Sequence, residues 1–229
     1  KPVILVLLSG SALAVTWAEE HIPAIVQGWY PGAQGGRAIA SLLFGDFSPS
    51  GRLPVTFYRT TEELPDFHDY SMKNRTYRYM QQEALYPFGY GLSYTRFEYS
   101  GLTADKTEVP AGEDITFRIK VRNTGERESY ETVQLYLKDT EAGVTVPKWQ
   151  LRGIRTVFQR PGEQAEVEFP LTGRQMALIN EDGKCVLEPG QFQVFVGGSQ
   201  PDSRSEKLTG SKVLCTFFRV TGQALELPY

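Results

Sequence analysis

Two different spacings of apolar residues divide the chain near residue 93. Before it the apolar runs are continuous. Val3–Leu8 is an unbroken apolar run with β-branched content, followed by Ser9-Gly10-Ser11. That is the pattern of a fully buried parallel strand entering a loop. Residues 22–30 (IPAIVQGWY) read as a second buried strand. The Gly-rich stretch Pro31–Gly36 then leads into Ala38, Ile39, Leu42 and Leu43 on one face, predicting a short helix over Arg37–Phe44 that stops at Gly45-Asp46. After the Ser50-Gly51 turn, Leu53–Tyr58 is a third strand candidate, which Pro54 confines to an edge or an entry position. Strand, helix and strand in this order mean α/β construction on a parallel sheet. So few elements do not close such a sheet, and residues 1–92 read as one portion of a domain.

From about Phe97 onward the period is two. Ile115, Phe117, Ile119 and Val121 point one way, and Thr116, Arg118, Lys120 and Arg122 the other, before a turn at Asn123-Thr124-Gly125-Glu126. Val133, Leu135 and Leu137 repeat the alternation, as do Ile154, Thr156 and Phe158, and then Ala165, Val167, Phe169 and Leu171 after Pro161-Gly162. Cys185–Leu187 and Phe192, Val194 and Val196 flank Pro189-Gly190 as a hairpin, and Val213, Cys215 and Phe217 end the series. Short strands at regular spacing with turn signals between them predict an antiparallel β-sandwich of ~100 residues. The fold expectation is α/β plus all-β: a partial α/β sandwich segment over 1–92, with an aromatic connector, and a β-sandwich over 93–229.

Composition narrows the function. With 24 Lys+Arg against 27 Asp+Glu in 229 residues the net charge is −3, which lacks the basic footprint of a nucleic-acid binder. Val3–Leu8 is too short for a bilayer span of ~20 apolar residues. A secretory signal is the competing reading of the first residues, although the chain starts with Lys rather than Met. The 2 cysteines and 2 histidines form neither a disulfide framework nor a metal-ligand spacing. Buried free thiols are expected at Cys185 and Cys215, with a bridge between them as the alternative. The length also leaves no room for a (β/α)₈ barrel of ~250 residues beside a second domain.

Candidate chemistry is sparse. Glu19, Glu20, Asp46, Glu62, Glu63, Asp66 and Asp69 lie on loops, but no spacing fixes two of them across a pocket. Ser9 follows a strand, yet position 7 is Leu, so the G-x-S-x-G elbow fails. The Pro31–Gly36 loop before a helix suits either an anion or close loop–helix packing; it lacks the Gly-Lys-[Ser/Thr] of a P-loop. Aromatic residues cluster from Phe67 to Tyr99, where flat rings suit either a sugar or a packed connector between domains. Trp29, at a strand end where α/β sheets place ligands, and Arg75 and Tyr77 in the aromatic cluster are the substrate-binding candidates. Asn74-Arg75-Thr76 matches a glycosylation sequon.

The strings KPVILVLLSG (1–10), IPAIVQGWYPGAQGG (22–36), AIASLLFGDFSPSGRLPVTF (38–57) and YPFGYGLSYTRF (86–97) resemble glycoside hydrolase family 3, in the C-terminal part of its β-glucosidases and β-xylosidases. Asn123–Gly125, Val133–Lys138, Pro189–Gly190 and Val194–Ser199 resemble the fibronectin type III-like module of the same enzymes. The resemblance implies a retaining glycosidase whose nucleophile Asp and acid/base Glu lie upstream of the position matching Lys1, so no catalytic residue is carried onto this chain. Such chemistry needs two carboxyls ~5–5.5 Å apart and no cofactor or metal. The implied partners are a β-linked oligosaccharide or aryl glycoside in the complete enzyme and the N-terminal barrel region. No nucleic acid or membrane is implied, and an uncovered sheet points to a homodimer. The two unpaired-looking cysteines fit the cytoplasm; export is the alternative. Competing readings are a stand-alone carbohydrate-binding or scaffolding module, or a subunit that completes a separate catalytic chain.

Overall fold

The computed structural model describes residues 1–228. Strand β1 (Ile4–Leu7) and strand β2 (Ala24–Gln27) pair in parallel, with Ile4 opposite Ala24 and Leu7 opposite Gln27. Helix α1 (Thr16–His21), which the hydrophobic pattern did not single out, connects them. Helix α2 (Gly35–Phe44) follows β2 and ends where Gly45 turns left-handed at φ 79°, its N–H bonding back to Leu42 and Ser41. A residue without a Cβ enters that conformation at no steric cost. The two strands form a sheet of their own and are not fully buried: Ile4 is 46% exposed, and Val3 and Leu8 are also open.

Leu53–Tyr58 is not a third strand of this sheet. Pro54 has no N–H to offer a ladder, and the segment bonds instead to residues 85–90. Leu53 N donates to Tyr90 O at 2.9 Å and Phe57 N to Tyr86 O at 2.9 Å, while Gly89 N donates to Leu53 O at 2.8 Å. Phe57 and Tyr86 make only an isolated antiparallel bridge. A short helix α3 (Thr76–Tyr79) lies between these two stretches.

The remainder is a β-sandwich. One sheet orders β3 (Phe97–Ala104), β5 (Ile115–Asn123) and β8 (Gln164–Leu171) as β3-β5-β8. The other adds β4 (Glu108–Pro110), β6 (Ser129–Asp139), β7 (Gln150–Gln159), β11 (Gly190–Gly197) and β12 (Leu214–Thr221) in the order β4-β12-β11-β6-β7. Only β4 and β12 pair in parallel there. Alternate residues of β5, β6, β8 and β11 interdigitate in the core, with Phe117, Phe192 and Phe218 at its centre. Helix α4 (Gly173–Met176) starts on a capping box between Thr172 and Gln175. A small third sheet joins β9 (Leu178–Ile179), β10 (Cys185–Leu187) and β13 (Leu225–Glu226), and helix α5 (Ser203–Thr209) precedes β12.

Three details differ from the periodicity. Pro189-Gly190 is not a hairpin: β10 pairs with β9 and β13, whereas β11 pairs with β12 and β6, so the chain changes sheet there. The set Ile154, Thr156 and Phe158 faces outward; Val157 and Gln159 take the inner phase with Gly153, on which the Phe169 ring lies. The inner phase of this edge strand carries a glycine and Arg155, so its apolar signal came from the wrong face. Cys215 is exposed beside Phe217, because β12 is apolar on both phases and Phe218 and Val220 hold the core. Cys185 is buried, and both cysteines are free thiols.

Candidate functional site

The C-terminal ends of β1 and β2 carry Ser9-Gly10 and Gly28-Trp29-Tyr30. Gln27 Nε2 donates to Ser9 Oγ at 3.1 Å, fastening one strand end to the other. Tyr30 lies over Gly10 so closely that a Cβ there would stand 2.6 Å from its ring. Trp29 adopts φ 51°, a left-handed backbone costing of order 1–3 kcal/mol in a bulky residue, and meets Phe57 edge-on at 6.4 Å. It is half-buried, its indole serving the packing of the sheet end against residues 53–58. The Pro31–Gly36 loop is tightly packed: a Cβ on buried Gly35 would lie 2.5 Å from Pro31.

Arg75 organises the loop before α3. Its Nη2 donates to Asp66 O at 2.9 Å and to Asp69 O at 2.7 Å. Its neighbours Asn74 and Thr76 are left-handed at φ 58° and 54°. Asn74 Oδ1 accepts from Gln81 N, and the Tyr58 hydroxyl accepts from Thr76 N at 2.8 Å, which holds the strained pair in place. Four of the loop acids are held by partners. Asp66 and Asp69 accept from the backbones of His68 and Ser71, and the Ser71 bonds hold the Asp69 carboxyl below its ordinary range. Glu63 accepts from Arg59 N, and Glu19 pairs with Arg204 at 2.6 Å. Phe67 and Tyr70 stand almost fully exposed on the same loop.

Tyr77 points the other way, onto the sandwich. Its ring stacks on Phe88 at 4.2 Å and meets Tyr136 of β6 edge-on at 6.2 Å, and its hydroxyl accepts from Leu151 N of β7. Tyr86 and Tyr90 stack on each other at 5.6 Å, Tyr86 against Phe57. Phe88 thus faces the sandwich while Tyr86 and Tyr90 lie together on the other side, because the turn closed by Tyr90 N bonding to Pro87 O, with Gly89 left-handed at φ 77°, reverses the chain between them. Burial pushes the Tyr90 hydroxyl up to about 12. Trp29, Arg75 and Tyr77 are therefore not gathered around one pocket: Trp29 reaches Phe57, the Arg75 loop reaches Tyr58, and Tyr77 reaches β6 and β7.

The periodicity hid the polar joint between the two parts. Arg52 Nη2 pairs with Glu131 of β6 at 2.6 Å, and its Nε donates to Gly198 O at 3.2 Å. The Tyr99 hydroxyl donates to the other Glu131 oxygen. Glu131 is buried, and burial raises its carboxyl above the ordinary range although Arg52, Tyr99 and the Thr132 backbone oppose the shift. Gln134 continues the joint, its Nε2 donating to Gly89 O and Gly198 O at 2.9 Å each. Arg52, Tyr99, Glu131 and Gly198 wall an open cleft of about 1140 Å3. In sequence Glu131 and Gln134 look like ordinary strand polar positions; a glutamate on the inner phase of an apolar strand was the available signal. Among the described residues no group of three or more His, Cys, Asp or Glu could hold a metal ion.

Residues 1–94 match the Glycosyl hydrolase family 3 C-terminal domain, and residues 131–200 the Fibronectin type III-like domain. The chain is 37% identical over 209 residues to a periplasmic beta-glucosidase of Salmonella typhimurium, covering 86% of this chain and 27% of that protein. It is 41% identical over 213 residues to a xylan 1,4-beta-xylosidase of Xylanibacter ruminicola, covering 91% and 24%. Beta-glucosidase 3B from Thermotoga neapolitana, solved with alpha-D-glucose, superposes with a TM-score of 0.86 at 31% identity over 99% of this chain and 32% of that one. The chain thus spans about a quarter of the length of these curated relatives, in their C-terminal part. It belongs to glycosyl hydrolase family 3, whose C-terminal domain it carries together with a fibronectin type III-like domain.

Proposed function

We propose that the chain is the C-terminal region of a retaining β-glycosidase that hydrolyses terminal β-glucosyl or β-xylosyl residues. Residues 1–92 serve as the C-terminal portion of its α/β sandwich domain with the aromatic connector, and 93–229 as a bracing β-sandwich. The nucleophile Asp belongs to a barrel region and the acid/base Glu to a loop of the α/β sandwich domain, both upstream of the position matching Lys1. One observation carries this reading: the small β1–β2 sheet and its helices present Ile4, Leu8, Trp17 and Phe44 to solvent, Phe44 at 87% exposure, where an α/β sheet requires cover. The names of the relatives support glycoside substrates, and that of the Salmonella protein supports an exported location. In this reading Trp29 and Arg75 remain the substrate-side candidates, while Tyr77 acts as a packing residue.

The test assays aryl β-glucoside and β-xyloside with this chain alone and with the longest reading frame that contains it. Activity is expected only from the longer frame, because catalysis by this route needs two carboxyls flanking one bond. Turnover by the 229-residue chain near the rate of the longer protein contradicts the proposal.

A further inference from the structure

The loop before α3 carries an exposed apolar ridge. Phe67 is 84% and Tyr70 87% exposed, and Leu64 and Met72 stand open on the same loop. The loop is fastened at several points: Arg75 holds the Asp66 and Asp69 carbonyls, Glu63 accepts from Arg59 N at 2.9 Å, and Thr60 Oγ1 accepts from Glu62 N at 3.0 Å. A loop fixed in this way loses little conformational freedom when its rings are covered. Aromatic side chains bury ~150–250 Å2 each. Phe67 and Tyr70 therefore supply roughly half of the ~800 Å2 per partner of a standard interface.

Two clusters of opposite charge adjoin the ridge. Glu62, Glu63, Asp66 and Asp69 are interleaved with its apolar residues, and Lys73 and Arg78 follow, both exposed. Arg78 lies within one helical turn of Arg75, which binds the loop. Arg152 of β7 is half-buried; burial and then the nearby Arg78 guanidinium lower its pKa, and no carboxylate acts on it. Among the described residues Glu62, Glu63, Asp69, Lys73, Arg78 and Arg152 enter no ion pair. The two clusters thus lie side by side without neutralising each other. An anionic patch beside a cationic one is complementary to itself under a two-fold rotation, which sets each against its opposite on the partner. Tyr70 and Met72 fall between the two clusters in the chain, where such an axis would pass.

We propose that this surface is an interface with a second copy of the chain, a two-fold dimer in which Glu62, Glu63 and Asp69 of one copy face Lys73, Arg78 and Arg152 of the other around the exposed aromatic rings. The interface uses none of the exposed residues of the β1–β2 sheet that carry the glycosidase reading, so either can fail without the other.

The test is sedimentation velocity in the background of Trp17→Arg and Phe44→Glu, which removes association through the β1–β2 side. A discrete dimer is expected, with a dissociation constant on the order of 1–10 μM. Phe67→Asp with Tyr70→Asp should raise that constant at least about a hundredfold, and raising NaCl from about 0.05 to about 0.5 M should raise it severalfold. Charge reversal decides the pairing. Glu62→Lys with Asp69→Lys, and separately Lys73→Glu with Arg78→Glu, should each leave a monomer, while an equimolar mixture of the two variants restores a dimer. All four positions are exposed, and circular dichroism reports whether each variant folds. If a reversed variant does not fold, the Phe67→Asp and Tyr70→Asp pair and the salt series decide. A monomer up to about 100 μM, at least tenfold above the expected constant, overturns the proposal. So does a mixture that stays monomeric, or a dimer that survives Phe67→Asp with Tyr70→Asp. The same measurements on the longest reading frame should give the same dimer; its absence there would mean that another part of the protein covers the loop, and also overturns the proposal.

Discussion

Arg52 and Glu131 show how a single pair can hold two parts of a chain 79 positions apart. Both side chains are buried, so the guanidinium and carboxylate have surrendered their hydration, and each depends on the other. Burial raises the Glu131 carboxyl, with Arg52 as the largest opposing influence. A carboxyl whose folded pKa is raised stabilises the fold at acid pH and loses that contribution as pH climbs through the folded value. Arg52→Met should therefore cost about 3–5 kcal/mol at neutral pH, where a bare carboxylate is left behind. The penalty should shrink as pH falls and Glu131 takes up a proton. Urea unfolding of both proteins across the acid range measures it; a cost independent of pH would show that the Glu131 charge is not the cause. Trp29, Asn74 and Thr76 are another residue-scale feature, three left-handed non-glycine positions. No hydrophobic pattern encodes such strain, since it is imposed by the packing around each residue.

At the scale of elements, the aromatic connector lies on the outer face of the five-stranded sheet and converts it into an internal layer. Tyr136 is fully buried there, although strand alternation alone assigns it to solvent. Gly89 makes the approach feasible: its φ is +77°, and a Cβ would overlap Gln134 Oε1. Gly89→Ala should destabilise the joint by roughly 2–4 kcal/mol through backbone strain and overlap together. The expected signature is loss of hydrogen-exchange protection at residues 85–90 before the sandwich core opens. Uniform loss across both parts would instead show that the connector and the sandwich unfold as one unit. β7 and β12 misled the period-two reading for a different reason: their outward phases carry exposed apolar side chains, Ile154 and Phe158 on β7 and Phe217 on β12.

At the scale of the molecule, the sandwich has a closed core while the β1–β2 sheet is left partly open, and this asymmetry should govern solution behaviour. We expect self-association at micromolar concentration in sedimentation velocity, reduced by the double variant Trp17→Arg and Phe44→Glu on the exposed helices. A sharp monomer at all concentrations would mean that these faces need no cover. The sequence by itself determined the change from continuous to alternating apolar runs near residue 93, the strands β1 and β2, helix α2 and most of the sandwich strands. It did so because local periodicity reports which face of an element avoids water. It also carried the family resemblance, in strings such as YPFGYGLSYT. Only the tertiary structure decided that Leu53–Tyr58 pairs with residues 85–90, that Tyr77 packs onto β6 and β7, and that Arg52 pairs with Glu131. Those outcomes depend on partners distant in the chain, whose pairing is set by which surfaces exclude water together and not by spacing along the backbone.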